Sequence, residues 1–145
     1  TYTYSAPGGS DVGAHSQSID IGGPLAWTNK DQVGPVTRGA GQTIAWTPFS
    51  GEATIFGSSF QQLDAERVAG AAFWCLADGS AGSFNIPSNV LQLLPASTTF
   101  SEGGFTFETG TMSVGKFLRA DCQASGLDVC VLSYSDSVNK QLGYR

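Results

Sequence analysis

The sequence predicts an all-β protein, two antiparallel sheets stacked as a sandwich with one short helical turn. Three observations carry this. Apolar residues alternate over short runs, turn residues (Gly, Pro, Ser, Asn, Asp) interrupt those runs about every ten positions, and the amphipathic spacing of long helices is nearly absent. About eight to ten strands result, which suits two packed sheets.

Taken in order, Gln17 to Ile21 and Leu25 to Thr28 are the weaker strand candidates, and Gln42 to Thr47 is a firmer one that sets Ile44 and Trp46 on one face. Glu52 to Ser59 contains Ile55 and Phe56. Val68 to Ala77 is almost continuously apolar and reads as a central strand covered on both sides. Gly82 to Ile86, Gly104 to Glu108, Thr111 to Val114, Lys116 to Ala124 and Asp128 to Tyr134 complete the set. Between Ile86 and Pro95, a proline at an allowed first helical position, Val90, Leu91 and Leu94 at helical spacing, and a closing proline predict one or two helical turns capping the sandwich. Gln61 to Arg67 reads as an exposed loop.

Residues 1–23 form a separate arm and residues 24–145 the sandwich domain. The arm, with its Ala6-Pro7-Gly8-Gly9-Ser10 run, is too polar and Gly-rich to build a core alone and should be mobile if left free. It nonetheless carries strand material: Tyr2 and Tyr4 alternate with Thr1 and Thr3, and Ile19 and Ile21 with Ser18 and Asp20. Such an arm is suited to strand addition onto a neighbouring copy, building a filament or surface layer if the rotation does not close. The competing readings are a first edge strand of its own sheet, or a linker to an upstream domain.

Composition narrows the function. The chain has 145 residues, of which 41% are hydrophobic, 13% charged and 19 glycine, so charge-driven disorder is excluded. Seven Lys and Arg against twelve Asp and Glu leave a net charge of -5, which repels phosphate backbones and argues against nucleic acid. The longest apolar run, Val68 to Ala77, is too short to span a bilayer.

Chemistry-bearing motifs are sparse. His15, the sole histidine, lies in the arm among Gly and Ser and reads as solvated rather than as a catalytic base. Carboxylates occur as singletons; Asp64 with Glu66, and Asp31 beside Asn29, are too thin for a calcium loop, and phosphate-cradling Gly motifs are missing. With no CxxC and one imidazole, zinc is not proposed, and no cofactor or catalytic residue is assigned.

Of three cysteines, Cys122 and Cys130 bracket a Ser-Gly turn signal, so two antiparallel strands can bring them opposite each other as a short disulfide whose loop closure is worth roughly 2.5 kcal/mol. Cys75 is then left over in the most apolar strand, where an inert buried thiol is the simpler reading and an intermolecular bridge the sharper one.

Trp27, Trp46 and Trp74 are the candidates for a stacking platform. Trp46 shares a face with Ile44 and is expected in the core; Trp74, in a strand apolar on both sides, is expected to be buried as well. Trp27, followed by Thr28, Asn29, Lys30 and Asp31, is the one expected at the surface as a possible ligand platform.

The series Trp27-Thr28-Asn29, Val36-Thr37-Arg38, Ile44-Ala45-Trp46-Thr47, Ile55-Phe56-Gly57-Ser58-Ser59, Phe84 to Leu91 with Leu94-Pro95-Ala96-Ser97, Gly110 to Gly115 and Ser125 to Asp128 resembles immunoglobulin-like β-sandwich modules of secreted, largely uncharacterised bacterial proteins. The resemblance spans about residues 24–145. The arm lies outside it, and the Cys122 and Cys130 pair is not assigned to its pattern. It implies an extracellular or cell-surface setting and no catalytic residue, and the absence of N-x-[ST] sequons fits a bacterial origin. The resulting expectation is a non-enzymatic structural or adhesive subunit whose partners are further copies of itself or a surface or matrix component. A carbohydrate- or ligand-binding accessory module is the alternative.

Overall fold

The structure is a computed structural model that describes residues 1–145, the Glu102 side chain excepted. Its strands are β1 (Tyr2–Ala6), β2 (His15–Ile19), β3 (Gln42–Ala45), β4 (Glu52–Gln62), β5 (Val68–Asp78), β6 (Ser83–Ile86), β7 (Thr99–Glu102), β8 (Phe105–Glu108), β9 (Gly110–Asp121) and β10 (Val131–Leu142). A 3-10 turn at Gly79–Ala81 and a helical turn α1 (Ser88–Leu91) interrupt them. The chain is all-β, and every strand pair in its sheets is antiparallel.

A four-stranded sheet in the order β10-β9-β4-β5 is the backbone of the molecule. Because side chains alternate across a strand, one face collects Ala53, Ile55, Met112, Val114 and Leu142, all buried, with Phe73 and Cys75 packed beside them. The layer over this face is built from short pieces: the β3–β6 ribbon with Ile44 and Ile86, the Trp27–Trp46 bridge, the Val36–Tyr144 bridge, and Leu91 and Leu94 around α1. Gly57 lies on the same inner face opposite Phe73. A Cβ there would come within 2.4 Å of the Phe73 ring and 2.7 Å of the Tyr144 hydroxyl, so only glycine lets both aromatics approach the sheet.

Several expected boundaries move. The strands expected at Thr111 to Val114 and Lys116 to Ala124 are one continuous strand, β9, because the register with β10 runs through Gly115 unbroken. The last strand, expected to end at Tyr134, continues to Leu142. Leu25 to Thr28 contributes a single bridge at Trp27 rather than a strand. The β7–β8 hairpin adds a strand at Thr99–Glu102 that the sequence did not suggest. It turns at Gly103 and Gly104, whose φ of 58° and 84° are the two consecutive left-handed positions a tight hairpin turn requires. β5, expected at the centre of a sheet, is an edge strand.

The arm is a hairpin of its own. β1 pairs with β2 from Tyr2 opposite Ile19 to Ala6 opposite His15, and the hydroxyls of Thr3 with Ser18 and Ser5 with Ser16 meet at 2.7 and 2.8 Å. β4 pairs with β9 only as far as Phe117, so β9 and β10 project beyond it as a two-stranded ribbon, and β2 lies against that projection. Gly13 N–H donates to the Ser125 carbonyl oxygen at 2.8 Å, fastening the tip of the hairpin to the turn between β9 and β10.

Candidate binding face on the open sheet

The outer face of the four-stranded sheet carries no second layer. The register sets two parallel rows across it. Trp74, Phe56, Ser113 and Asn139 form one row; Leu76, Thr54, Gly115 and Ser137 form the next. Each row crosses four strands, roughly 14 Å. Large apolar side chains fall on β5 and β4, polar ones (Thr54, Ser113, Ser137 and Asn139) on β4, β9 and β10, and these eight residues carry no charge.

Trp74 dominates the face, with 69% of its surface exposed. Its ring meets Phe56 edge-on, centroids 5.8 Å apart at 70°, which fixes the indole upright without covering it. Phe117 rises on the far side, and between them lies an open trough of about 770 Å³ with Thr54, Ser113, Ser135 and Ser137 along it. Gly115 forms its floor, where a Cβ would collide with the Thr54 hydroxyl at 2.1 Å. Lys116 and Asp136, which border the trough, turn their side chains to the opposite face, Lys116 onto Gly23 O and the Asp136 carboxylate toward the Leu25 N–H, and leave it neutral.

The tryptophans therefore exchange places with expectation. Trp27 is only 6% exposed, a correction to its reading as the surface platform. The polar run after it is what buries it: Asn29 Oδ1 accepts from the Trp27 indole N–H and from the Ala45 N–H, both at 2.9 Å, while its amide donates to Thr43 O at 3.0 Å, folding residues 27–29 onto β3. Trp74, expected in the core, is exposed because β5 is an edge strand whose outward residues meet no second layer. Trp46 is buried beside Ile44 as expected, its indole N–H donating to Gly79 O at 2.8 Å.

The other candidate residues are dispersed. Cys122 and Cys130 form a disulfide at the end of the β9–β10 ribbon. Cys75 is a free thiol on the inner face, half buried, and burial pushes its pKa up, which disfavours the nucleophilic thiolate at neutral pH. On the arm, Tyr2 and Tyr4 are exposed, Ile19 is buried and Ile21 half-buried. His15 Nδ1 lies 3.2 Å from Gly13 O and its ring leans on Tyr4 at 5.9 Å. Arg67 pairs with Asp64 at 2.5 Å and, with the Glu66 N–H, holds its carboxyl below the usual carboxylate range, so this acidic spot is a closed turn. Among the described residues, no three His, Cys, Asp or Glu gather as a metal site, and no helix is long and apolar enough to cross a membrane.

In comparisons with known protein families, with curated proteins and with solved structures, the chain has no match.

Proposed function

We propose that the chain is an extracellular, non-catalytic binding module of the immunoglobulin-like sandwich kind, and that its open sheet face takes up a neutral polysaccharide. The observation that carries this reading is the exposed Trp74 standing beside rows of uncharged hydroxyls. A pyranose ring has an apolar C–H face and a rim of hydroxyls. An upright indole meets the first, and Thr54, Ser113 and Ser137 supply donors and acceptors for the second. A neutral trough neither attracts nor repels a charged polymer strongly, which favours uncharged glycans. The Cys122–Cys130 disulfide is at home in an oxidising compartment and supports the extracellular setting.

The test is affinity electrophoresis and calorimetry against panels of neutral and acidic polysaccharides. Binding to at least one neutral glycan, weakened about tenfold or more by Trp74→Ala, is expected. Failure of every neutral glycan to bind, or a Trp74→Ala variant that binds like the parent, overturns the proposal.

A structural or adhesive role through the arm is the second reading, and one observation favours it: β1 pairs with β2 alone and displays Tyr2 and Tyr4 outward. Under that reading, deleting residues 1–23 abolishes polymers seen by negative-stain imaging. The folding of the arm onto its own body favours the first reading.

A further inference from the structure

β5 is the outermost strand of the four and is hydrogen-bonded along one side only, to β4. In an antiparallel pair, alternate N–H and C=O groups point away from the partner, so the far side of β5 presents an open ladder. The usual protections against pairing are missing. Val68 to Ala77 contains no charge and no proline, and its register with β4 is unbroken from Val68 to Asp78. The opposite edge differs: β10 carries Asp136 and Lys140 on its inward face and is approached by β2 and β8.

The strand is also complementary to itself. On its outer face, after Val68, two small residues, Gly70 and Ala72, precede two large ones, Trp74 and Leu76. An antiparallel copy related by a two-fold axis at Phe73 sets these two large residues against the two small ones, Leu76 opposite Gly70 and Trp74 opposite Ala72, with the two indoles as diagonal neighbours. On the inner face Ala71 comes opposite Cys75. In this register Val68 comes opposite Asp78, and on the inner face Phe73 meets the second copy's Phe73. Phe73 and Cys75, packed against the core yet half exposed at this rim, gain cover from the same contact.

We propose that two copies join β5 to β5 in this register, making one continuous sheet across both molecules with a single isologous contact. The pairing is independent of what the open face binds.

Sedimentation equilibrium of the intact chain tests it, with two variants. The parent is expected to dimerise reversibly, and Ala72→Glu, which adds a charge at an exposed position facing Trp74 of the second copy, to weaken dimerisation by about 100-fold or more while leaving the circular dichroism spectrum unchanged. Ala71→Cys places a thiol opposite Cys75 of the second copy and, on mild oxidation, is expected to give a covalent dimer on non-reducing gels. The parent forms none, because this register holds its two Cys75 residues apart. A parent that stays monomeric at millimolar concentration overturns the proposal. So does a dimer that tolerates Ala72→Glu, one that Ala71→Cys fails to cross-link, or one held by a Cys75 to Cys75 bond.

Discussion

Lys116 reaches from the inner face of β9 to the arm, its ammonium donating to the Gly23 carbonyl oxygen at 3.0 Å and to that of Ile21 as well. The side chain is buried and has no ion pair among the described residues; the rings of Phe49 and Tyr134 lie 5.4 and 6.0 Å from the nitrogen. Two carbonyl oxygens and two π faces thus stand in for a carboxylate. One lysine in the body thereby fastens the end of the arm.

Replacing that lysine by an apolar side chain of similar length, Lys116→Met, therefore loosens the arm selectively. The expected loss is about 1.5–3 kcal/mol, the worth of hydrogen bonds to a charged donor. Limited proteolysis should cut residues 7–24 faster than in the parent, with amide exchange in β4 and β9 unchanged. Unchanged cleavage would mean that β2 holds the arm without the lysine.

Removing an indole should have opposite consequences at two positions. Trp27→Ala empties a buried site and costs about 3–5 kcal/mol. Trp74→Ala removes an exposed ring whose aromatic contact is Phe56 and costs about 1 kcal/mol or less. Because Trp27 and Trp46 are buried, the emission of Trp74→Ala should shift to shorter wavelength. Chemical denaturation and fluorescence spectra measure both effects; equal destabilisation by the two variants would contradict the assigned burial.

Tyr144 has a zero-exposure side chain whose hydroxyl donates to Thr111 O at 2.8 Å, and burial pushes its phenol well above the usual value near 10. The folded chain keeps a proton that the unfolded chain releases, so this residue's contribution to stability is complete below about pH 10 and is lost as pH rises beyond it. Tyr144→Phe lacks the hydrogen bond, a loss of about 1 kcal/mol at neutral pH, and also lacks the alkaline penalty. The stability gap between parent and variant should therefore close above about pH 10 in denaturation curves recorded from pH 7 to 11. A gap of constant size would show that the phenol is not held neutral by burial.

Reducing the Cys122–Cys130 bond opens a ring with a sequence separation of 8 and should cost about 2.5 kcal/mol in the loop-closure account. The effect should reach the arm, because the turn within this ring provides the Ser125 carbonyl that Gly13 binds. Amide exchange at Gly13 is expected to accelerate in Cys122→Ser/Cys130→Ser more than exchange in β3 does. Equal acceleration at both places would mean that the turn and the arm are energetically unconnected.

What the sequence by itself determined is local. Alternation of period two marked β4 and the start of β9 and placed Ile44 and Trp46 together in the core, while a continuous apolar run marked β5. Spacing around a Ser-Gly turn paired Cys122 with Cys130, and two prolines bounded the helical turn at Ser88–Leu91. The tertiary structure alone decided which faces are covered. Period two says which residues share a face and is silent on whether another layer lies over it, and β5, apolar on both faces, gives no hint of its own. Its place at the edge of the sheet exposes Trp74 and creates the open trough. Trp27 went the other way because the burial of a side chain followed by polar residues depends on where those residues fold. Asn29, satisfied by Trp27, Thr43 and Ala45, draws the whole segment onto β3, a contact across the chain that no local pattern encodes.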